Sequence, residues 1–182
     1  MFQGGQTNSK LDEIGQKQLS ESVTAIRAKL PESYLLVSSP LNRAQQTVAG
    51  LELDQTHEVI DNRVRERDFG VWEGQTVTDV RKDYPQELDR YFNNDPEVIP
   101  PKGESMQVVA KRMLSAIDEF SKSQYSDVVI VSHGISIVIG LSALLEGPNY
   151  FENILDIPKN VSLAKVSLDD TADLQYYNQT FY

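Results

Sequence analysis

Cysteine is absent from this chain of 182 residues, which excludes disulfide bonds, thiolate nucleophiles and cysteine-ligated zinc sites. Histidine is scarce, since only His57 and His133 occur. No run of residues reaches the roughly 18 consecutive apolar positions that a membrane-spanning helix needs. The opening residues, MFQGGQTNSK, lack the apolar segment of a secretory signal. These absences predict a protein without a membrane span, for which the cytoplasm is the expected location.

Positive charge is also in short supply, because 27 acidic residues outnumber 17 basic ones and the net charge is −10. A surface of this sign repels the phosphate backbone, so we expect no nucleic-acid partner. A small phosphorylated molecule is still compatible with this charge, because a local basic pocket dominates the field inside a cleft. With 40% hydrophobic residues the chain can bury one core, and we predict a single domain over residues 1–182.

Short apolar runs alternate along the chain with segments of helical periodicity. The runs YLLVS (34–38) and DVVIVS (127–132) are typical of buried strands, and residues 58–60 are a further candidate strand. Helical spacing predicts helices over residues 12–30, 43–51, 105–122 and 134–145, with two shorter ones around Pro85. Residues 162–168 and 174–177 predict a β-hairpin. The alternation predicts an α/β fold, a three-layer α/β/α arrangement around a mostly parallel sheet, with the hairpin at one end.

Arg43 follows the first predicted strand at the start of a helix, in the stretch SSPLNRAQQT. Ligands of parallel sheets gather at the carboxyl ends of strands, where helix N-termini present free N–H groups. An arginine there offers planar, bidentate donors that suit phosphate. The alternative interpretation is an ordinary surface arginine, although cations are slightly disfavoured near a helix N-terminus.

His133 directly follows the second predicted strand, in the stretch VVIVSHG, and an apolar helix comes next. Gly134 permits a tight turn and a close approach of the backbone. An imidazole at this lip can donate a hydrogen bond to a phosphoryl oxygen. The alternative is a histidine satisfied within the core, and position alone does not separate the two.

Glu66 lies in a stretch that mixes arginines and carboxylates, RVRERDFGVWEG. A carboxyl group close to bound phosphate has its pKa raised by the like charge, which suits a general acid. The flanking arginines oppose this shift. A solvated charged loop is the competing interpretation of the same pattern.

Taken in order, these stretches resemble the motifs of the histidine phosphatase (phosphoglycerate mutase-like) superfamily. The resemblance implies that Arg43 binds the phosphate, that Glu66 donates a proton, and that His133 binds the phosphoryl group. FQGGQTNSKLDEIGQKQ is similar to the loop and helix after the family's catalytic motif, and KGES to its Gly-Glu-Ser turn. The resemblance runs from residue 2 to about residue 145 and implies a phosphoglycerate mutase-like fold.

One family feature has no counterpart in this sequence. Members of the family begin with a buried strand ending in Arg-His-Gly, whose histidine is phosphorylated, and here only Met1 precedes Phe2. His57 does not replace it, because no arginine precedes it and no glycine follows it. We therefore expect a domain that is incomplete at its N-terminus. Either an upstream segment supplies the strand, which we favour, or the remaining sheet closes up or pairs with another chain.

The resemblance also implies substrate contacts at Gln3 and Gly4 in the opening loop and at Glu104 and Ser105 in the KGES turn. Ser105 has a second interpretation as the N-cap of the helix that follows. No cofactor is expected, because arginine and histidine hold phosphate without a metal, and the sequence shows no cluster of metal ligands.

Three functions are compatible with these observations. The first is a phosphomonoester hydrolase acting on a small phosphorylated metabolite, complete only with the upstream strand. A phosphatase is favoured over a mutase because the segment between Trp72 and Lys102 lacks the long insertion of the glycolytic mutases. The second is a catalytically inactive fold that still binds a phosphorylated ligand or inorganic phosphate. The third is an interaction protein, such as a homodimer joined through the exposed edge of the sheet.

Overall fold

The computed structural model describes residues 1–54 and 57–182. Its helices are α1 (Glu13–Arg27), α2 (Asn42–Gly50), α3 (Val77–Asp83), α4 (Pro85–Phe92), α5 (Met106–Ser121) and α6 (Gly134–Glu146). Short 3-10 helices lie at Asn62–Val64, Gly70–Trp72 and Gly147–Asn153. The strands are β1 (Leu35–Ser38), β2 (Glu58–Ile60), β3 (Val128–Val131), β4 (Leu163–Leu168) and β5 (Ala172–Gln179). In these ranges no helix is both long and apolar enough to cross a bilayer.

The first three strands form a parallel sheet in the order β2-β1-β3. β1 is central, with Leu36 opposite Glu58 of β2 on one side and Val129 of β3 on the other. Because the strands run in the same direction, their carboxyl ends lie along one edge of the sheet. β4 and β5 form a separate antiparallel ladder. The predicted α/β class with a mostly parallel sheet is confirmed.

Alternation along β1 explains why helices cover both faces of the sheet. Leu35 and Val37 point into one apolar cluster, whereas Leu36 points into the other. α5 and α6 cover the first face through Val109, Met113, Ala116, Ile139 and Ala143, and α1 and α2 cover the second through Leu19, Ile26 and Val48. Fully burying a valine, leucine, isoleucine or methionine side chain stabilises the folded state by roughly 1.5–3 kcal/mol. Burial on both faces accounts for the continuous apolar run of β1.

A third apolar cluster lies beyond the sheet and anchors the opening residues. Its buried members are Phe69, Trp72, Val80, Leu88 and Val98. Phe2 packs against it, with ring centroids 5.3 Å from Phe69 and 5.4 Å from Trp72. The backbone of Phe2 also forms a parallel bridge with Glu73. The opening segment, predicted as a loop, is thus tied to the loop that carries Glu66.

Local signals account for most helix boundaries. Asp12 caps α1 by accepting a hydrogen bond from the N–H of Gly15, and Ser105 caps α5 by accepting one from Val108. Pro85 occupies the first turn of α4, so that α3 and α4 are separate helices as predicted. α1 ends at Arg27 rather than at Leu30, because the last turn before Pro31 is not helical.

β3 has an open side. Within residues 1–54 and 57–182 its only ladder is with β1, which makes it the edge strand of the parallel sheet. Its four residues are all apolar, and all four are only partly buried. An apolar strand in a parallel sheet is ordinarily covered on both faces and paired on both sides. β3 is therefore less buried than its apolar sequence predicts, and it lies next to His133.

Two glycines with positive φ provide a matched test of the packing around the Glu66 loop. Gly70 has φ 52°, and a Cβ there would lie 2.1 Å from the carbonyl oxygen of Pro101. Gly74 has φ 78°, and a Cβ there would meet no atom within 4 Å. We expect Gly74→Ala to lower the free energy of unfolding by about 1–2 kcal/mol, the left-handed backbone cost alone. Gly70→Ala should cost more, because the 101–103 turn must also move.

Urea unfolding of both variants measures the difference. Equal losses in the two variants would contradict the close packing of Gly70 against the turn at residues 101–103.

Candidate active site

Arg43 and His133 meet where β1 and β3 end. Arg43 lies in the first turn of α2, just after β1, and His133 occupies the N-cap position of α6, two residues after β3. Because the strands are adjacent and parallel, both side chains reach the same place. The Nε of Arg43 donates to Nδ1 of His133 at 3.1 Å. The two residues that the sequence singled out at separate strand ends are thus in direct contact.

The remaining donors of Arg43 bind the opening loop. Its two terminal nitrogens donate to the carbonyl oxygens of Thr7, at 2.6 Å, and Gly4, at 3.2 Å. Partial burial lowers the pKa of Arg43 from its ordinary value, while the nearby charges of Glu66 and Glu73 oppose this shift. The guanidinium remains charged, because its ordinary pKa lies so far above neutrality. It therefore contributes a positive charge to a partly buried site.

His133 is held as a neutral ring. Nδ1 accepts from Arg43, so the ring proton lies on Nε2, which donates to Ser39 Oγ at 2.7 Å. Burial, together with the charges of Arg43 and Arg112, lowers the pKa of His133 from 6.5 to about 3. Ser39 is itself fully buried directly after β1. The site thus fixes both the charge and the tautomer of this histidine.

Glu66 is buried, with 6% of its surface exposed, and its carboxylate faces the first turn of α6. Oε1 accepts from the backbone N–H of Arg67 at 2.8 Å and of Ser136 at 3.0 Å, and Oε2 accepts from that of Ile135 at 3.3 Å. Burial raises the pKa of Glu66 above its ordinary value, while these N–H donors oppose the rise. A carboxyl group with a raised pKa that faces a basic pocket can serve as a proton donor.

A second carboxylate, Glu104, organises the arginines behind Glu66. It accepts from Arg65 at 2.7 Å, from Arg112 at 3.1 and 3.2 Å, and from the backbone N–H of Asp68 at 3.0 Å. Arg112 also donates to the carbonyl oxygens of Arg63 and Arg65. This network holds the Glu66 loop against α5, and it occupies the carboxylate that the resemblance associated with substrate.

The other residues expected to contact substrate differ in their exposure to solvent and in their hydrogen bonds. Gly4 is buried and offers its carbonyl to Arg43, whereas Gln3 is exposed. The hydroxyl of Ser105 accepts from Val108 as a helix cap. Substrate contacts at these positions stay predictions. His57 lies elsewhere, beside Tyr125, with ring centroids 5.6 Å apart.

Several site residues were not singled out from the sequence. Ser39 holds His133, Ser136 contacts Glu66, and Glu73 binds the opening loop through Thr7 Oγ1 at 2.5 Å. A signal did exist for Ser136, since it is a polar residue in the first turn of a mostly apolar helix, GISIVIGLSALLE. The sequence did not predict the burial of Arg67, which is 1% exposed and whose guanidinium lies over the rings of Phe69 and Tyr91.

Among the described residues there is no group of three or more His, Cys, Asp or Glu side chains that could hold a metal ion. The arrangement instead combines a guanidinium, a neutral imidazole and a buried carboxyl group. These are the components needed to bind a phosphoryl group and to donate a proton to a leaving oxygen.

The low pKa of His133 predicts a pH-dependent stability. The unfolded chain binds this proton near pH 6.5 and the folded chain only near pH 3. The contribution of His133 to the free energy of unfolding is therefore complete above pH 6.5. It is lost as the pH falls below this value, by up to about 1.4 kcal/mol per pH unit. Compared with the wild type, His133→Asn should lose less stability between about pH 6.5 and about pH 4. Urea unfolding as a function of pH measures this, with His57→Asn as the exposed control.

An equal pH dependence in the wild type and in His133→Asn would show that His133 is not held neutral in the folded state.

Comparison with known proteins agrees with this geometry. The family model described as the histidine phosphatase superfamily (branch 1) matches residues 1–180. The bifunctional protein Rv2228c of Mycobacterium tuberculosis is 31% identical over 98% of this chain, which spans 49% of that protein. The chain thus covers about half the length of this relative. The probable phosphoglycerate mutase GpmB of Yersinia pestis is 31% identical, with 92% of this chain and 77% of that protein covered.

A solved structure of a mycobacterial glucosyl-3-phosphoglycerate phosphatase, Rv2419c, in complex with VO3 is similar throughout. It superimposes with a TM-score of 0.85 and 29% sequence identity, covering 97% of this chain and 90% of that one. Its structure with inorganic phosphate has 27% identity and a TM-score of 0.80, covering 98% of this chain and 91% of that one.

Proposed function

Because this chain belongs to the histidine phosphatase superfamily (branch 1), we propose that it is a phosphomonoester hydrolase domain acting on a small phosphorylated metabolite. The reaction passes through a phosphohistidine on a strand upstream of Phe2. The observation that carries the proposal is the convergence of Arg43, His133 and Glu66 at the carboxyl ends of β1 and β3.

Arg43 and His133 are the groups that hold the phosphoryl oxygens in this proposal. The guanidinium is charged and its donors converge on one small region, where two backbone carbonyls and His133 now accept them. A phosphoryl group is a stronger acceptor than a carbonyl, because hydrogen bonds to an ionised partner are roughly twice as strong. Binding therefore replaces the Arg43–His133 contact with contacts of both residues to the anion, and it requires the other tautomer of His133, in which Ser39 donates to Nε2 and the proton on Nδ1 faces the anion.

Glu66 is the general acid. In the first step the upstream histidine attacks phosphorus, the bond to the leaving oxygen breaks, and Glu66 gives its proton to that oxygen. In the second step water attacks the phosphohistidine and gives a proton to Glu66, which returns the acid to its starting state. The products are an alcohol and inorganic phosphate. The raised pKa of Glu66 supports this assignment, because the protonated form is the one needed at the start.

The open side of β3 supports a place for the upstream strand. A strand parallel to β3 would cover the partly buried residues Val128–Val131 and pair with their unused N–H and C=O groups. Its carboxyl end would lie at the same edge of the sheet as His133. A histidine there would face the phosphoryl group held by Arg43.

The choice of phosphatase over mutase rests on the segment between Trp72 and Lys102. It contains only the short helices α3 and α4 and no long insertion of the kind that the glycolytic mutases have. The likeness to a glucosyl-3-phosphoglycerate phosphatase favours the same reaction class and a small phosphorylated substrate.

A phosphate-binding domain without turnover is the second candidate. In the described residues His133 is the histidine at the site, and His57 lies beside Tyr125 instead. A chain with Arg43 and His133 and no nucleophile would bind an anion without cleaving it. Pairing of two copies through the open edge of β3 would be compatible with this role.

The phosphatase activity of the chain with and without an upstream strand tests the proposed hydrolase function. We expect no phosphatase activity from the 182-residue chain and clear activity from a chain extended by a strand ending in Arg-His-Gly. A matched extension ending in Arg-Gln-Gly is the control. In the active form Glu66→Gln should lower kcat by about 10²–10⁴-fold. Release of inorganic phosphate from an alkyl phosphomonoester measures each rate, because its alkoxide leaving group needs the proton of Glu66, and an inactive Arg-His-Gly extension that folds would contradict the proposal.

Phosphate binding by the chain alone tests the anion site that both candidates share. Calorimetry with inorganic phosphate should detect binding that is at least about tenfold weaker in Arg43→Gln, because one charge-assisted contact is lost. Arg81→Gln is the matched control, since Arg81 is exposed and paired with Asp89 on the neighbouring helix. Equal affinities in the two variants would place the anion elsewhere on the molecule.

A further inference from the structure

The two oxygens of Glu66 have very different surroundings. Oε1 accepts from the N–H of Arg67 at 2.8 Å and of Ser136 at 3.0 Å, and it contacts the hydroxyl of Ser136 at 3.1 Å. Among residues 1–54 and 57–182, Oε2 accepts a hydrogen bond from a single donor, the N–H of Ile135 at 3.3 Å. An oxygen surrounded by donors has no lone pair free for a proton of its own. A proton bound to Oε2 is not as close to any hydrogen-bond donor as a proton bound to Oε1 would be.

We propose that Ser136 is the positioning residue for proton donation: its backbone N–H and that of Arg67 occupy Oε1 of Glu66, so that the transferable proton resides on Oε2, and its hydroxyl stabilises the carboxylate once that proton has left. This inference rests on the proposed role of Glu66 as the acid. It names the residue that orients the acid and the oxygen from which the proton leaves.

The hydroxyl of Ser136 is placed to respond to the charge of Glu66. Its oxygen lies 2.7 Å from the carbonyl oxygen of Arg65 and 3.1 Å from Glu66 Oε1, and both are acceptors. A hydroxyl has one proton, so it can serve only one of them at a time. The ionised carboxylate is the stronger acceptor. After Glu66 has given up its proton, the hydroxyl therefore turns from Arg65 to Glu66 and stabilises the carboxylate.

Ser136 is held firmly enough for this role. It is fully buried, its backbone is fixed in the first turn of α6, and Arg112 donates to its oxygen at 3.4 Å. Arg112 is fixed in turn by Glu104 and by the carbonyl of Arg63. Arg112 can only donate, so it occupies a lone pair of the hydroxyl and leaves the proton of Ser136 for Arg65 or Glu66.

Charged groups on several elements also affect the pKa of Glu66. A test of Ser136 must leave these groups unchanged. Arg43 approaches from α2, Arg112 from α5, Arg67 from the neighbouring position in the loop, and the phenol of Tyr91 from α4. A substitution at Ser136 removes only the 3.4 Å contact of Arg112, whose guanidinium is still held by Glu104 and by the carbonyl of Arg63.

The test is a titration of Glu66 itself, which needs no turnover. Selective ¹³C labelling of glutamate carboxyl groups allows NMR to follow the titration of Glu66, and Glu66→Gln assigns its signal. Removing a donor to the charged form should raise the midpoint in Ser136→Ala by about 1 pH unit. Ser142→Ala is the matched control, because Ser142 is equally buried on α6 and bonds to the N–H of Leu155 instead.

A midpoint in Ser136→Ala equal to those of the wild type and Ser142→Ala would overturn the proposal. If Ser136→Ala does not fold, Ser136→Cys decides the question, because its weak S–H donor should raise the midpoint in the same direction.

The chain extended by the Arg-His-Gly strand separates this inference from the proposed function. If the midpoint of the Glu66 titration is raised in Ser136→Ala but no extended form has phosphatase activity, the role of Ser136 in orienting Glu66 is supported and the proposed phosphatase function is contradicted. Turnover with an unchanged midpoint in Ser136→Ala would support the phosphatase and overturn the role of Ser136.

Discussion

The burial of one carboxyl group, Glu66, is the constraint on which the arrangement of this site depends. A charged carboxylate away from water is costly unless donors surround it. Here the donors are backbone N–H groups at the start of α6, which the helix leaves without intrahelical partners. The same groups make a helix N-terminus favourable for negative charge. The position of α6 therefore determines where Glu66 lies, and β3, which precedes α6, brings His133 to the same place.

The positive charges around Glu66 form three groups with different partners. Arg43 lies at the site, and its donors end on carbonyl oxygens and a neutral imidazole, which a phosphoryl group can replace. Arg65 and Arg112 lie behind Glu66 and are already bound to the carboxylate of Glu104. Arg67 is buried among aromatic rings with carbonyl oxygens as its acceptors. This division leaves Arg43 as the arginine whose charge is available to an anion, despite the several arginines in the neighbouring sequence.

The elements of the fold were largely predictable because their signals are local. Strand β2 was predicted at its observed bounds, and α5 begins where Ser105 offers a cap. The contact between Arg43 and His133 followed from a general property of parallel sheets, in which strand ends share one edge. The partners of Glu66 were not predictable in this way. Ser136 follows it by 70 positions, and only the packing of α6 against the Glu66 loop brings the two together.

The sequence by itself determined the class of fold, the order of its elements and the family motifs at Arg43, Glu66 and His133, because apolar periodicity, caps and short motifs are written in neighbouring residues. The tertiary structure alone decided the charge state and orientation of those side chains. It made His133 neutral through burial beside two arginines, it raised the pKa of Glu66, and it bound Glu104 into an ionic network. Within residues 1–54 and 57–182 it also left one side of β3 without a partner strand. These properties depend on desolvation and on contacts between distant segments, and neither exists until the chain is folded.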